Sequence, residues 1–397
     1  MTRHALASSA EVARPRVRYR HRVRLAGLLY LVVTLLLGIA ATTRPNNLLV
    51  WIFGIALGSI LASGIVSGFM LMRLRVTRLD PRRATAGEAA PLRYEVRNDS
   101  RWWSAFGLIV REHPTGRLDG WEHATSPAEA RILHVGPGEQ VHAESWIEPT
   151  RRGRMTFREV AVSSRFPFGL LEKVVRFELP GEVLVHPRRH PVRPGVLEGL
   201  RGELSGGLDQ IARVGGGDDF HGVREYRPGD SLRSIAWKRL AGLDRLATIE
   251  RSRTGPPRLL LRLDLRTETA RLVVDPQGPS AREMEERAIS LVASLATGAM
   301  REGFEVGLDV LGLDAPPRPI RGGHWHLERL LGTLAGLDLD APRSGGGGAA
   351  PPPTARILQV SVEATRSRGE LGGDGPWRLA ATQFDRLLVV DEAGDAR

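Results

Sequence analysis

The chain contains no cysteine. This absence excludes disulfide bridges, zinc sites built from thiolates and a cysteine nucleophile, because each of them needs a thiol sulfur. Lysine is nearly absent too, with Lys173 and Lys238 as its two examples, so arginine supplies almost all of the positive charge. Aromatic residues make up 6% of the 397 residues, whereas 42% are hydrophobic and 25% are charged. Those last two values are typical of globular domains, and the length allows two or three of them.

The net charge of +11 comes from residues near the N-terminus. Residues 1–24 carry seven arginines and one glutamate, and residues 73–83 carry five arginines and one aspartate. From residue 84 onward, 43 basic residues balance 43 acidic ones. A basic protein often binds nucleic acid, but this excess lies beside two apolar segments. We therefore expect a lipid bilayer as a partner and no nucleic acid.

Two apolar runs, residues 23–43 and 48–72, contain no charged residue after Arg24 at the start of the first run. A helix needs about 20 apolar residues to cross a bilayer. A cleaved signal peptide has a shorter apolar region and no second run after it. The pattern predicts a two-helix transmembrane hairpin over residues 23–72, behind a basic tail over residues 1–22. Because arginines flank its outer ends, we expect a two-pass protein of the inner (cytoplasmic) membrane with both termini cytoplasmic.

Small residues recur every fourth position in the second run, at Gly54, Gly58 and Ala62 and again at Gly64 and Gly68. This spacing lets two helices approach closely in lipid. It can pack the hairpin, join two copies of the chain, or simply reflect the abundance of glycine in membrane helices.

Residues 76–187 have the alternation of apolar and polar residues that is typical of strands, as at Leu92, Tyr94 and Val96. Short turn sequences separate these segments, and no helical period interrupts them. These features predict a β-sandwich or a small barrel, and of the two we expect an immunoglobulin-like β-sandwich. Residues 188–217, rich in arginine, proline and glycine, are predicted to be a linker.

A dense motif of charged and aromatic residues lies in the next segment, residues 218–254. Pro228-Gly229 favours a turn, after which Asp230 can cap a short helix with Ile235 on its apolar face. The residues that we single out are Arg224, Glu225, Tyr226, Pro228, Gly229, Asp230, Arg233, Ile235 and Trp237.

This motif resembles the signature of the domain of unknown function 58 family. The run from Arg224 to Trp237 is the specific part, and Phe166-Pro167-Phe168-Gly169 resembles the family as well. The chain departs from the family after Trp237, where Leu240-Ala241 stands in place of the common Ala-Arg. The resemblance implies an N-terminal membrane hairpin, a von Willebrand factor A-like C-terminal part and association with a MoxR-type AAA ATPase.

Residues 255–397 alternate between strand and helix patterns, which predicts an α/β domain with a parallel sheet. The predicted strands are residues 259–265, 304–311, 357–362 and 387–390, and the predicted helices are residues 280–301 and 324–337. Residues 344–353, which include four consecutive glycines, are predicted to be a flexible insert.

The residues that could support chemistry give no coherent enzyme or metal site. A von Willebrand factor A domain can bind a divalent cation through an Asp-x-Ser-x-Ser pattern. Here Asp264 is followed by Arg266 and Glu268, so we expect no metal and a pairing of Arg266 with Asp264. His324 and His326 should diverge at a helix start, as a cap and a surface residue. Phosphate-loop, zinc-protease and serine-hydrolase motifs are absent from the sequence.

The leading hypothesis is a non-enzymatic adaptor without a cofactor, held at the membrane and acting with the ATPase. The motif residues named above would either dock that partner or brace the domains. An envelope enzyme that uses the carboxylates Asp218, Asp219, Glu225 and Asp230 is one alternative. A metal-dependent adhesion module that uses Asp264 is another.

Overall fold

The structure is a computed structural model. It describes residues 20–23, 25–43, 46–79, 83–114, 129–199, 201, 213–227, 235, 247–253, 256–272, 277–344, 355–362 and 377–390. The chain divides into two compact units, Met1–His186 and Pro187–Arg397.

Two long apolar helices open the first unit, α1 (Leu25–Thr43) and α2 (Asn47–Leu71). The side chain of Asn46 caps α2 by accepting a hydrogen bond from the Leu48 amide. Most of the large apolar side chains are exposed, including Leu35 at 64% and Trp51 at 71%. A core helix of a soluble domain would bury such residues. Among the described helices, these two are long and apolar enough to span a membrane, which fits the predicted anchor.

Several hydroxyl groups within the helices are paired locally. Thr34, Ser59 and Ser67 each donate a hydrogen bond to the backbone carbonyl four residues earlier. In lipid such a bond replaces the water that a hydroxyl would otherwise need.

The hairpin is not packed through the glycines that recur every fourth position in α2. Positions Gly54, Gly58 and Gly64 have no atom within 4 Å of the point where a Cβ would stand. Instead, the ring of Phe53 on α2 lies against Gly38 of α1, with its Cε2 atom 2.9 Å from that point. The interpretation that the small residues pack the hairpin is therefore wrong, because the helices meet on another face.

Nine strands lie in the rest of the first unit, within the residues that the structure describes. They are β1 (Arg20–Val23), β2 (Leu74–Leu79), β3 (Ala84–Thr85), β4 (Ala90–Asn98), β5 (Ala105–Pro114), β6 (Glu129–Val135), β7 (Gln140–Ile147), β8 (Gly153–Ser164) and β9 (Leu171–His186). One sheet has the order β1-β9-β8-β5-β6, with β3 beside β9, and the other has the order β2-β4-β7. The predicted alternation on β4 is present, since Leu92, Tyr94 and Val96 are all buried. The two sheets share one apolar core, so they form a sandwich.

The sandwich and the helices are joined at two places. Met70 and Leu71, at the end of α2, belong to the apolar core of the sandwich. At the other end of the hairpin, β1 pairs antiparallel with β9, from Arg20 opposite Val174 to Val23 opposite Leu171. Arg20 and its neighbours therefore form a strand of the sandwich, although they were predicted to belong to a basic tail. Their backbone completes the edge of β9, a pairing partner about 150 residues away in sequence.

The second unit contains a parallel sheet. Its strands are β12 (Arg258–Asp264), β13 (Glu305–Leu311), β14 (Arg318–Arg321), β15 (Arg356–Ser361) and β16 (Trp377–Ala380), in the order β14-β13-β12-β15-β16. Only β14, at one edge, runs antiparallel. Helices α3 (Ala281–Arg301) and α4 (His324–Ala335) pack into the same core as β12. A separate hairpin of β10 (Arg213–Glu225) and β11 (Ala247–Arg253) precedes this sheet.

The last predicted strand, residues 387–390, is wrong. A short helix α5 (Phe384–Leu387) ends where the strand was expected to begin, and Leu388 makes an isolated bridge to Val192. Phe384 and Leu388 are both buried and lie four residues apart, which is the spacing of one helical turn. The fourth parallel strand is β16, ten residues earlier.

The described part of the predicted linker packs on the second unit. Leu197 is buried in the α/β core, and the His190 amide donates a hydrogen bond to the hydroxyl of Ser294 on α3. The Ser290 hydroxyl donates to the carbonyl of Arg188. These contacts hold the segment against α3.

Candidate functional site

The carboxyl ends of β12 and β15 form the candidate site of the second unit. Asp264 ends β12, where it lies opposite Leu311 of β13 and Ser361 of β15. The chain leaves β12 through α3 to reach β13 on one side, whereas β15 lies on the other side. Open α/β sheets bind ligands at such a reversal of strand order. The fold thus places Asp264 where a ligand would be expected.

The carboxylate of Asp264 is held by its own neighbours. Arg266 donates to it from Nε at 2.9 Å and from Nη2 at 2.6 Å, one bond to each oxygen. Its backbone amide adds a third bond at 3.2 Å, and Nε2 of Gln359 on β15 adds a fourth at 3.0 Å. The predicted pairing of Arg266 with Asp264 is present in this two-bond form.

The protonation state of Asp264 follows from these bonds. Burial alone would raise its pKa, but the hydrogen bonds and charge of Arg266 hold the pKa below the ordinary value. The pKa of Arg266 is raised by the same pair. The carboxylate is therefore ionised and neutralised by the guanidinium across the physiological range.

This arrangement does not fit the divalent cation of a von Willebrand factor A domain. Arg266 and Glu268 stand where the two serine ligands would be, and the guanidinium covers both oxygens of Asp264. Within the described ranges, no three histidine, aspartate or glutamate side chains form a group that could hold a metal ion.

A second ion pair lies on the first turns of α3, and its partners Thr269 and Arg343 line a polar cavity of about 260 Å³. Glu285 of α3 has no exposed surface, and it accepts from Nη2 of Arg343 at 2.6 Å and from the hydroxyl of Thr269 at 2.9 Å. Burial raises the pKa of Glu285, and these two partners oppose that shift. Above it, Arg282 bridges to Asp340 at 3.0 Å. Asp264 and Glu285 are thus both held by arginine, so neither can act as a base without breaking an ion pair.

The motif residues lie on the separate β10–β11 hairpin and just after it. Arg224 and Glu225 end β10, where Glu225 is exposed, and Tyr226 follows half-buried. Ile235 is buried and makes an isolated antiparallel bridge to Thr248 of β11. Ile235 is thus extended, and the prediction of a helix through it is wrong, because this β-branched residue pairs with a strand instead. Pro228, Gly229, Asp230, Arg233 and Trp237 lie outside the described residues.

The remaining candidate residues are not brought together. Asp218 and Asp219 lie on β10. His324 begins α4, whereas His326 is buried, with Nε2 2.8 Å from the carbonyl oxygen of Val306. The two histidines diverge as expected, but the expectation that His326 is a surface residue is wrong. It serves to fasten α4 to β13.

Sequence reasoning missed Gln359, Glu285, Thr269 and Arg343. Gln359 reaches Asp264 only because of the register between β12 and β15. Arg343 lies 58 residues from its partner Glu285. No spacing rule connects positions so far apart, so these contacts follow from the tertiary structure alone.

Replacing Arg266 by glutamine should lower the stability of the second unit by about 1 kcal/mol at pH 7, since Arg266 is half exposed. A depressed aspartate pKa contributes stability above the ordinary value near 3.8, and that stability is lost as the pH falls through the folded pKa. The melting temperatures of wild type and variant should therefore differ at pH 7 and converge below about pH 4. Arg271→Gln is the control, because it removes an exposed pair with Glu268. A difference that persists unchanged at low pH would contradict this role of Asp264.

Comparisons with known proteins agree with the motif. Residues 222–368 match the family described as "Protein of unknown function DUF58". A curated relative, the "Uncharacterized protein YeaD" of Bacillus subtilis, is 27% identical over 198 residues. That match covers 48% of this chain and 44% of the relative, so the chain spans less than half the length of the relative.

Similarity to solved structures is weak. The CARDB domain of PF1109 from Pyrococcus furiosus matches with a TM-score of 0.20 and 14% identity, over 28% of this chain and 94% of that domain. A GH20 exo-β-N-acetylglucosaminidase from Vibrio harveyi matches with a TM-score of 0.15 and 10% identity, over 61% of this chain and 47% of that enzyme. Neither likeness carries an argument about fold or activity. The resemblance to the DUF58 family is confirmed by the family match over residues 222–368.

Proposed function

We propose that this protein is a membrane-anchored, non-enzymatic adaptor that presents its second unit at the cytoplasmic face of the inner membrane. The DUF58 segment and the two apolar helices support the membrane-anchored part of this proposal. The adaptor role rests on the chemistry of the sheet edge and on the family resemblance.

The pairing of β1 with β9 supports a two-pass topology. A strand that precedes α1 and a sandwich that follows α2 can share a sheet only if both lie on the same side of the membrane. Two crossings meet that condition, whereas a single crossing does not. The arginines of residues 1–24 and 73–83 then favour the cytoplasm for that side.

The second unit is proposed to be von Willebrand factor A-like. Four parallel strands with one antiparallel edge strand support this proposal, as does an aspartate at the carboxyl end of the central strand. The two sheets of the first unit, with their alternating buried residues, are in keeping with an immunoglobulin-like sandwich.

The observation that carries the adaptor role is the two-bond ion pair between Arg266 and Asp264. It places a guanidinium where an adhesion module would need a cation. A carboxylate held in this way is also a poor general base. The sheet edge is therefore better suited to contact with another protein than to metal binding or catalysis.

The partner that we propose is a MoxR-type AAA ATPase, as the family resemblance implies. The motif residues from Arg224 to Trp237 are the proposed docking surface, and the exposed position of Glu225 favours such a contact. Anchoring confines this surface to the membrane, which raises its effective concentration for a partner at the same membrane.

The test is affinity purification of the full chain from crosslinked membranes, with Arg224→Ala and Trp237→Ala as variants. Arg93→Ala is the matched control, because it removes an exposed arginine from the sandwich. We expect wild type and control to retain an AAA ATPase and both variants to lose it while keeping their melting temperatures. Equal recovery with the variants would show that the motif braces the fold instead of docking. Absence of any AAA ATPase from the wild-type sample would overturn the proposal that a MoxR-type AAA ATPase is the partner.

A further inference from the structure

Three exposed aromatic side chains lie on two loops of the sandwich that touch the helical hairpin. Trp102 is 78% exposed and Trp103 is partly exposed in the loop of residues 99–104, between β4 and β5. Phe168 is 55% exposed in the loop of residues 165–170, between β8 and β9. Large apolar side chains at this exposure call for a partner when they lie together.

The length of α1 indicates the depth in the membrane at which the loop of residues 165–170 lies. Nineteen residues at 1.5 Å each span about 28 Å, which barely covers a hydrocarbon core of about 30 Å. The first turn of α1 must then lie at the boundary of that core. Gly27 is in this turn, and the point where its Cβ would stand meets the carbonyl oxygen of Leu170. The loop of residues 165–170, with Phe168, is therefore at the boundary as well.

The length of α2 indicates the depth in the membrane at which the loop of residues 99–104 lies. Its 25 residues span about 37 Å, so its last turns emerge from the hydrocarbon. Phe69 is in that emerging part, and its ring stacks on Trp103 with the ring centres 5.7 Å apart. Trp103 and its neighbour Trp102 then lie just outside the hydrocarbon, at the depth of the headgroups.

Cationic side chains complete this surface. Lys173 of β9 donates from Nζ to the carbonyl oxygen of Gly64 at 2.6 Å, and burial lowers the pKa of Lys173. Arg101 lies over the ring of Trp102, with its guanidinium carbon 5.4 Å from the ring centre. Arg73, which follows α2, is exposed beside the same loop and accepts a hydrogen bond from the Asp99 amide at its carbonyl oxygen. Tryptophan and arginine together are the residues that favour a membrane interface.

We propose that these two loops seat the sandwich on the bilayer, with Trp102, Trp103 and Phe168 in the headgroup layer of the membrane that the hairpin crosses. This inference rests on the proposed membrane anchoring. It goes beyond anchoring, because a tether alone would leave the sandwich free in the cytosol. With this contact between the loops and the headgroups, the sandwich is held against the lipid at three points: the loop beside α1, the loop beside α2, and α2 itself.

The absence of native cysteine makes a direct test practical. Single cysteines are introduced as Trp102→Cys and Phe168→Cys in the full chain, spin-labelled and placed in phospholipid nanodiscs. Leu35→Cys, in the middle of α1, marks the hydrocarbon. Trp146→Cys is the matched control: Trp146 is 59% exposed on the same sandwich and lies opposite Pro91, about 23 Å along β4 from Asn98, which bonds to Trp103. Collisions with oxygen and with a water-soluble nickel chelate report the depth of each label.

We expect nickel accessibility at Trp102→Cys and Phe168→Cys to be several-fold lower than at Trp146→Cys, and oxygen accessibility to be lower than at Leu35→Cys. Values equal to those at Trp146→Cys, with Leu35→Cys still in lipid, would overturn the proposed contact between the loops and the lipid. They would leave the proposed membrane anchoring intact. A Leu35→Cys label that is accessible to the nickel chelate would overturn both the membrane anchoring and the contact between the loops and the lipid. These substitutions are at exposed positions, so little loss of stability is expected.

Discussion

Replacing Arg78 by alanine should destabilise the sandwich by about 3–5 kcal/mol, because it would leave the charge of Glu112 buried without its partner. The two side chains are 2% and 1% exposed and meet at 2.9 Å. Arg78 also donates to the carbonyl of Leu179 at 2.8 Å, and its guanidinium lies 4.5 Å from the ring centre of Phe157. Burial raises the pKa of Tyr94, whose hydroxyl stays protonated and donates to Glu112 at 3.1 Å.

Urea unfolding of the full chain in detergent, followed by far-ultraviolet circular dichroism, measures this loss. Arg93→Ala is the control, since its pair with Glu144 is exposed and should contribute at most about 1 kcal/mol. The double variant Arg78→Met with Glu112→Leu should recover much of the stability, because it removes both charges at once. An Arg78→Ala variant as stable as Arg93→Ala would show that the buried pair is not needed.

Replacing Gly27 by leucine should disrupt the joint between α1 and the sandwich. A side chain there would collide with the backbone carbonyl of Leu170, which cannot rotate away as a flexible side chain can. Overpacking of this kind costs about 1–3 kcal/mol. We expect faster hydrogen exchange in Arg20–Val23, the strand that precedes α1 and pairs with β9.

Gly54→Leu is the matched control for this prediction. Gly54 lies in the other helix, and nothing lies within 4 Å of its Cβ position. The same chemical change should therefore leave the exchange of Arg20–Val23 unaltered. Equal protection of that strand in both variants would contradict the close approach of Leu170 to α1.

Local patterns in the sequence predicted the elements whose residues alternate between core and solvent or are apolar throughout. The alternation at Leu92, Tyr94 and Val96 marked a strand, because burial in a core repeats with the period of the strand. The two apolar runs marked the helices by their length and composition. The same reasoning failed at residues 387–390, where apolar residues that resemble a strand belong to a helical turn and its exit. A short apolar run does not distinguish the two.

The contacts that were missed depend on residues distant in sequence. Residues 20–22 are predicted to belong to a basic tail, because the edge of β9 that pairs with them is far along the chain. Arg343 and Glu285 come together only when α3 is packed. The pairing of Arg266 with Asp264 could be predicted, since the two residues lie two positions apart and strand β12 ends at Asp264.

The central proposal is a hairpin that crosses the membrane twice and leaves the sandwich in the cytoplasm. Two single-cysteine variants of the cysteine-free chain test it: Thr43→Cys at the end of α1 and Leu133→Cys on an exposed strand of the sandwich. Both are treated with a membrane-impermeant maleimide in intact spheroplasts and in inverted membrane vesicles. The account predicts labelling of Thr43→Cys only in spheroplasts and of Leu133→Cys only in inverted vesicles. Labelling of Leu133→Cys in intact spheroplasts, or recovery of the protein in the soluble fraction, would contradict it.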